Sequence, residues 1–304
     1  MISQAVKDSL NRFVPEDYIK MQEPMSRHTT FKVGGPADCL VYPQDTEQLK
    51  GVLNYLTKIE IPYFVVGNGS NLLVSDAGYR GVIVKVGEAM SQVRVEGNNI
   101  IAGAGASLAK VARTALEHGL TGLEFAAGIP GTVGGALIMN AGAYDGEMKM
   151  VVSRVTVVDQ HGTEMSLDNA TMEFGYRSSA LKNQKFVATE CEFSLEPGDK
   201  EQIKAKMDDF AARRRDKQPL EYPSAGSTFK RPEGHFAGKL IQDAGLAGMQ
   251  VGGAQVSTKH CGFVINTGEA TAKDIHILIG FIQDKVKDTF GVDLEPEVIR
   301  LGEF

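Results

Sequence analysis

The segment Gly128-Ile-Pro-Gly-Thr-Val-Gly-Gly-Ala-Leu-Ile-Met-Asn-Ala-Gly142 constrains this chain more than any other. Five of its fifteen residues are glycine, yet the apolar run Ala136 to Met139 sits inside it. A flexible linker would be polar at those positions. The segment therefore reads as folded, buried and packed against something that needs bare backbone. Glycine lets main-chain N–H groups approach a ligand that any Cβ would block. Successive free N–H groups form a concave nest that favours an anion such as a pyrophosphate. A second loop of this kind lies earlier, Val66-Gly-Asn-Gly-Ser-Asn71. Neither loop contains Lys or Arg, so phosphate charge would be met by amide dipoles and helix N-termini. Two such loops point to a large phosphate-containing ligand.

The chain has 304 residues, enough for two or three domains with a substantial core. A net charge of −6 argues against a nucleic-acid partner. The three cysteines, Cys39, Cys191 and Cys261, are far apart and form no CxxC pair. That excludes a disulfide framework or a cysteine zinc site and fits buried thiols in a reducing compartment. No metal site is expected. The N-terminus lacks an apolar signal region and no apolar run is long enough to span a bilayer, which implies a cytoplasmic protein with no membrane partner.

Four stripes have helical period. They are Leu49/Val52/Leu53/Leu56 entered at Asp45-Thr46, and Leu108/Val111/Ala112/Ala115/Leu116 entered at Ser107 and stopped by Gly119. The third is Ile203/Met207/Phe210/Ala211, ending in Arg213-Arg-Arg215. The fourth, Ile275/Leu278/Ile279/Ile282/Val286, has a Thr271-x-x-Asp274 start and a Gly291 stop. β-rich runs cover 63–66, 82–86, 93–96, 100–102, 152–158, 186–193, 262–265 and 297–301. The fold class is α+β, in three units: 1–85 and 86–198, each with one glycine loop, and 199–304 after the Pro197-Gly198 break. Ile101 to Ser107 follows a strand and opens a helix, but only Gly103 and Gly105 match a Rossmann fingerprint. The third glycine and a ribose-binding acid are missing, so a tight strand-to-helix turn is the better reading.

Six segments occur in order: Arg27-His-Thr-Thr-Phe-Lys-Val-Gly-Gly35, Val66-Gly-Asn-Gly-Ser-Asn-Leu-Leu-Val74, Gly122 to Gly135, Gly175-Tyr-Arg-Ser178, Ala225-Gly-Ser-Thr-Phe-Lys230 and Leu294-Glu-Pro-Glu-Val298. Together they closely resemble the UDP-N-acetylenolpyruvoylglucosamine reductase family, over nearly the whole chain. The resemblance implies an FAD-binding fold of the vanillyl-alcohol-oxidase/PCMH type, made of two α+β subdomains, plus a C-terminal α+β substrate domain. It implies that Gly67, Asn68, Gly69, Ser70 and Asn71, with Gly128, Ile129, Pro130, Gly131, Gly134 and Gly135, wrap a non-covalent FAD. Asn140, Ala141 and Gly142 would complete the flavin pocket, and Arg27 to Phe31 would lie against it. After Arg177 the chain runs directly to Phe186, which resembles the shorter branch lacking an extra loop whose tyrosine covers the UDP group.

The implied reaction uses NADPH as co-substrate and delivers hydride to C3 of the enolpyruvyl ether of UDP-N-acetylglucosamine enolpyruvate, in peptidoglycan precursor synthesis. Charge then builds on C2, which needs a cation and a proton donor. By matching positions, Ser227 would donate the proton, and Arg177 and Glu297 would stabilise the charge. Glu297 helps only as a hydrogen-bond donor, since a bare carboxylate would repel the intermediate. Tyr176 and Lys230 would touch substrate. Each has a plainer reading: Ser227 as a turn residue, Arg177 as a surface ion pair, Glu297 as an edge carboxylate and Lys230 as a solvated amine. His260 reads as structural, and Met139, Met148, Met150 and Met249 as gap-fillers. Two rivals remain. A flavin oxidase of the same fold often tethers its cofactor through His, and the loop 66–74 has no His or Cys, so no covalent attachment forms there. A flavin-binding sensor would not require the Ser227, Arg177 and Glu297 set.

Overall fold

The computed structural model describes residues 2–183 and 185–304. The chain divides into two compact units, and neither is contiguous. The first comprises Met1–Met21, Cys39–Asn68 and Gly81–Arg213; the second comprises Gln22–Asp38, Gly69–Arg80 and Arg214–Phe304. The sequence composition suggests contiguous units with boundaries at 85 and 198. The difference has one main cause: the strand Leu72–Val74 pairs in parallel with Ile299–Leu301 at the far end of the chain, in the register Leu72 to Ile299. Residues near 70 thereby join the C-terminal part, a long-range pairing that local composition does not encode.

In the first unit, an antiparallel sheet of five strands runs in the order Glu164–Asp168, Val152–Asp159, Phe186–Ser194, Asn99–Gly103, Val93–Glu96. A parallel pair, residues 63–66 against 82–85, lies in the same unit. Around them pack α1 (Gln4–Leu10), α2 (Thr46–Lys58), α3 (Leu108–Glu117), α4 (Val133–Met139) and most of α5 (Lys200–Lys217). The stripe Leu49, Val52, Leu53 and Leu56 is fully buried in one core with Val82, Val84, Ile100, Val155 and Phe193. Each such side chain contributes about 1.5–3 kcal/mol relative to exposure. Asp45 accepts from the Gln48 amide at 2.8 Å and Ser107 from the Lys110 amide at 3.2 Å, so the starts read from sequence are side-chain caps. α5 differs from its predicted stripe. Only Ile203 is buried, while Met207, Phe210 and Ala211 are half-covered.

The second unit holds α6 (Ala237–Asp243) and α7 (Ala272–Phe290) beside a small antiparallel sheet, Gln250–Val251, Ala254–Val256 and Val264–Asn266. α7 opens with a full capping box: the Asp274 amide donates to the Thr271 hydroxyl, and the Thr271 amide donates to the Asp274 carboxylate. It closes on Gly291 in the left-handed region at φ 70°. Ile275, Leu278, Ile279, Ile282 and Val286 fill a second core with Phe31, Leu73 and Leu240.

All three cysteines are buried and reduced, and burial pushes the Cys191 thiol well up. Among the described residues no group of three His, Cys, Asp or Glu could hold a metal, and no helix is long and apolar enough to cross a membrane. Two predicted runs are shorter than expected. Gly262 and Phe263 precede the strand Val264–Asn266, and Glu297 and Val298 precede Ile299–Leu301. Met148 is fully buried as a gap-filler, but Met150 is 66 % exposed and fills nothing.

Candidate active site

The glycine-rich segment folds into a turn followed by α4. Thr132 caps that helix, its hydroxyl accepting from the Gly135 amide at 3.4 Å. Two glycines in a first helical turn each cost about 0.5–1 kcal/mol against alanine. Their use is close approach. Val133 N donates to Ala106 O at 2.8 Å and Gly134 N to Ala104 O at 2.9 Å, so the turn lies flat on the strand-to-helix bend at 104–107. A Cβ on Gly134 would sit 3.3 Å from the Ala104 Cβ.

Beside this turn the first unit carries a cavity of about 410 Å³ including its open mouth. Gly67, Gly134, Gly135 and Thr132 form its polar edge, and Val66, Val86, Ala104, Ile138 and Val187 its apolar wall. Among the described residues no charged side chain lines it. A Cβ on Gly67 would meet the Thr132 hydroxyl oxygen at 2.2 Å. An apolar wall with an edge free of Cβ atoms fits close approach of a flat ring system such as that of FAD. Of the other residues assigned to this ligand, Asn68, Gly128 and Pro130 are exposed, and Ile129, Gly131 and Gly142 are half-buried. Gly142 lies in a two-stranded ladder with Glu147.

Asn140 ends α4 in the left-handed region at φ 41°. Its amide is 2 % exposed and committed at both ends: Nδ2 donates to Gly175 O at 3.1 Å and Oδ1 accepts from Lys149 N at 2.9 Å. Gly175 and Ser178 exchange main-chain hydrogen bonds at 3.0 and 3.3 Å, closing a hairpin with Tyr176 and Arg177 at its tip. Arg177 has φ 52°, and its guanidinium lies 5.2 Å from the Tyr176 ring centroid. Tyr176 is 56 % exposed. Of the stretch from Ser178 to Phe186, read as the short branch, Gln184 lies outside the described residues.

In the second unit the rest of the first glycine loop meets the other candidates. Gly69 has φ 61°, and a Cβ there would stand 2.0 Å from His28 O. Thr30 N donates to Gly69 O, so the segment 27–31 packs against this loop. The Thr30 hydroxyl is buried with no hydrogen-bond partner, an orphan that suits a site built for a ligand. Ser70 is half-buried. Asn71 Nδ2 donates to Glu297 O at 3.0 Å, and Glu297 N donates to Thr228 O at 2.8 Å. Glu297 is thereby held by the main chain next to Ser227, which is exposed after Gly226 at φ 76°. Lys230 forms an ion pair with the Glu295 carboxylate, so its ammonium is not simply solvated. His260 is structural: its Nδ1 accepts from Gly262 N, its ring meets Phe263 edge-on, and burial lowers its pKa.

Sequence reasoning missed Thr132 and Thr228. Thr132 stands before an apolar run, the ordinary cap signal. Thr228 is fully buried and its hydroxyl accepts from Val264 N at 2.9 Å; nothing local marks it.

Comparison with known proteins matches the geometry. The profile of an FAD-binding domain matches residues 37–168, and that of the UDP-N-acetylenolpyruvoylglucosamine reductase C-terminal domain matches 218–301. The UDP-N-acetylenolpyruvoylglucosamine reductase of Caldanaerobacter subterraneus subsp. tengcongensis is 52 % identical over 99 % of this chain and 100 % of its own. That of Alkaliphilus oremlandii is 49 % identical over 97 % of each. The crystal structure of the reductase from Thermus caldophilus superposes with a TM-score of 0.81 at 35 % identity, covering 93 % of this chain and 99 % of that one. Phl p 4, a grass pollen allergen with glucose dehydrogenase activity, shares the fold alone: TM-score 0.50, 14 % identity, 64 % of this chain and 44 % of that one. The fold is thus the α+β FAD-binding fold of vanillyl-alcohol-oxidase/PCMH type with a C-terminal α+β domain. With relatives near half identity over almost every residue, the chain is an oxidoreductase that belongs to the UDP-N-acetylenolpyruvoylglucosamine reductase family.

Proposed function

We propose that this enzyme reduces the enolpyruvyl ether of UDP-N-acetylglucosamine enolpyruvate to UDP-N-acetylmuramate, a peptidoglycan precursor, with NADPH as reductant and a non-covalent FAD. Its free, buried cysteines suit the reducing cytoplasm. FAD, when bound, supplies hydride transfer between NADPH and C3 of the substrate. The protein's own residues hold the cofactor and manage the charge and proton at C2. Gly67, Gly134 and Gly135 would present bare backbone to FAD, the Gly134 and Gly135 amides being engaged by Ala104 O and the Thr132 hydroxyl. Arg177, on its hairpin tip, would face the substrate carboxylate and the charge developing beside it. Ser227 would donate its hydroxyl proton to C2; serine is a weak acid, but a carbanion is a far stronger base, so the transfer runs downhill. Glu297 would donate a hydrogen bond to the same charge, and Tyr176 and Lys230 would contact substrate.

One observation carries the reading. The main chain of Glu297 is bonded to Thr228, the neighbour of Ser227, and to the side chain of Asn71 in the first glycine loop. The residues assigned as proton donor and carboxyl group are thus backbone neighbours of each other and of the loop assigned to the cofactor. Ser227→Ala tests it. NADPH should bleach the bound flavin at the wild-type rate, while enolpyruvyl substrate restores the colour roughly a hundredfold or more slowly. Restoration at the wild-type rate would remove Ser227 from the mechanism.

A further inference from the structure

We infer that Asn140 is a positioning residue for Arg177, acting through α4 as a strut between the cofactor cavity and the arginine hairpin. This rests on the reading of Arg177 as the cation at the substrate. The first turn of α4 forms the cavity edge through Gly134 and Gly135. Its last turn holds both arms of the hairpin. Asn140 Nδ2 donates to Gly175 O at 3.1 Å before the tip, and Ser179 Oγ donates to Ile138 O at 3.2 Å after it. The amide orientation is fixed by its partners, because Oδ1 faces the Lys149 N–H and Nδ2 faces a carbonyl. Asparagine also suits the backbone, since it enters the left-handed region more readily than most residues. A glycine would serve the turn equally well but could not reach Gly175. The side chain therefore does something the turn does not need, and with both ends on main-chain groups it orients the hairpin.

Two variants separate this role from cofactor binding. Asn140→Gly keeps the left-handed backbone and removes both bonds. Asn140→Asp keeps the shape and the bond from Lys149 N but sets an acceptor against the Gly175 carbonyl. Thermal melts check that each variant is folded before its rates are compared with wild type. Asn140 is not among the residues lining the cavity and both ends of its amide are spent on Gly175 and Lys149 rather than on a flavin, so both variants should bind FAD with wild-type affinity by fluorescence titration and be reduced by NADPH at the wild-type rate. Reoxidation by substrate should slow roughly tenfold to a hundredfold, as expected for a misplaced group. Added to Arg177→Ala, Asn140→Gly should slow reoxidation no further, since both changes remove one interaction. Wild-type reoxidation in the Asn140 variants beside a crippled Arg177→Ala enzyme would overturn the inference alone. So would additive losses, or a fall in FAD affinity that tracks the rate. An Arg177→Ala enzyme with the wild-type rate would instead overturn the reading of Arg177 itself, and this inference with it.

Discussion

Arg177 and Glu297 are assigned to the same developing charge, but the protein holds them in different ways. Glu297 is fixed by main chain: its amide bonds Thr228 O, Phe229 bridges Pro296, and the parallel strands Leu72–Val74 and Ile299–Leu301 begin immediately beyond it. Arg177, itself in the left-handed region, stands on a two-residue tip closed by the Gly175–Ser178 main-chain pair, and that hairpin is tied to α4 by the side chains of Asn140 and Ser179. Main-chain bonds around Glu297 survive the loss of any one side chain; the docking of the arginine hairpin on α4 rests on two side chains and does not. The backbone that carries Glu297 is therefore robust to substitution around it, and the placement of the arginine hairpin is sensitive.

The largest effect that sharpens this contrast is at the arginine. Arg177→Ala should lower the rate of substrate-driven flavin reoxidation by about 10²–10³-fold, the usual cost of removing one charge-stabilising donor, with stopped-flow absorbance as the readout. A loss below tenfold would place the cation elsewhere. A smaller effect is expected at Asn71, whose amide is one of several bonds on the Glu297 segment. Asn71→Ala should slow reoxidation clearly less than Asn140→Gly in the same assay. Equal losses would show that the ladder does not hold Glu297 by itself.

The smallest functional effect is expected away from both. Thr271→Ala removes one half of the α7 capping box and should cost about 1 kcal/mol of stability in thermal melts, with half-reaction rates unchanged at 25 °C. Asp274, the other half, is held below the ordinary aspartate range chiefly by the Thr271 amide, with help from the Thr271 hydroxyl. A depressed carboxyl stabilises the fold above its unfolded value and loses that stabilisation as pH falls through its folded value. Asp274→Asn should therefore destabilise at pH 7, and the gap to wild type should narrow as pH drops below about 4. A gap constant with pH would show that the charge plays no part.

How much of this was legible in sequence depended on how local each cause is. The caps at Asp45, Ser107 and Thr271 and the stop at Gly291 are set within four residues, and each was read correctly. α4 was not read as a helix, because glycine suppresses helix propensity and the turn is kept by packing on residues 104–107. The two discontinuous units were illegible for the same reason as the Glu297 ladder: strands more than 200 residues apart form them. Asn140 was visible as a member of a motif, but its tie to Gly175 needed coordinates.

The central claim is that bare-backbone loops hold a dissociable FAD whose electrons go to an enolpyruvyl ether. The direct measurement is an anaerobic titration of the purified protein followed by its visible spectrum. The account predicts flavin bands that bleach with NADPH and recover with UDP-N-acetylglucosamine enolpyruvate in the absence of oxygen. A protein that cannot be reconstituted with FAD, or whose bleached flavin recovers only on admission of oxygen, would contradict it.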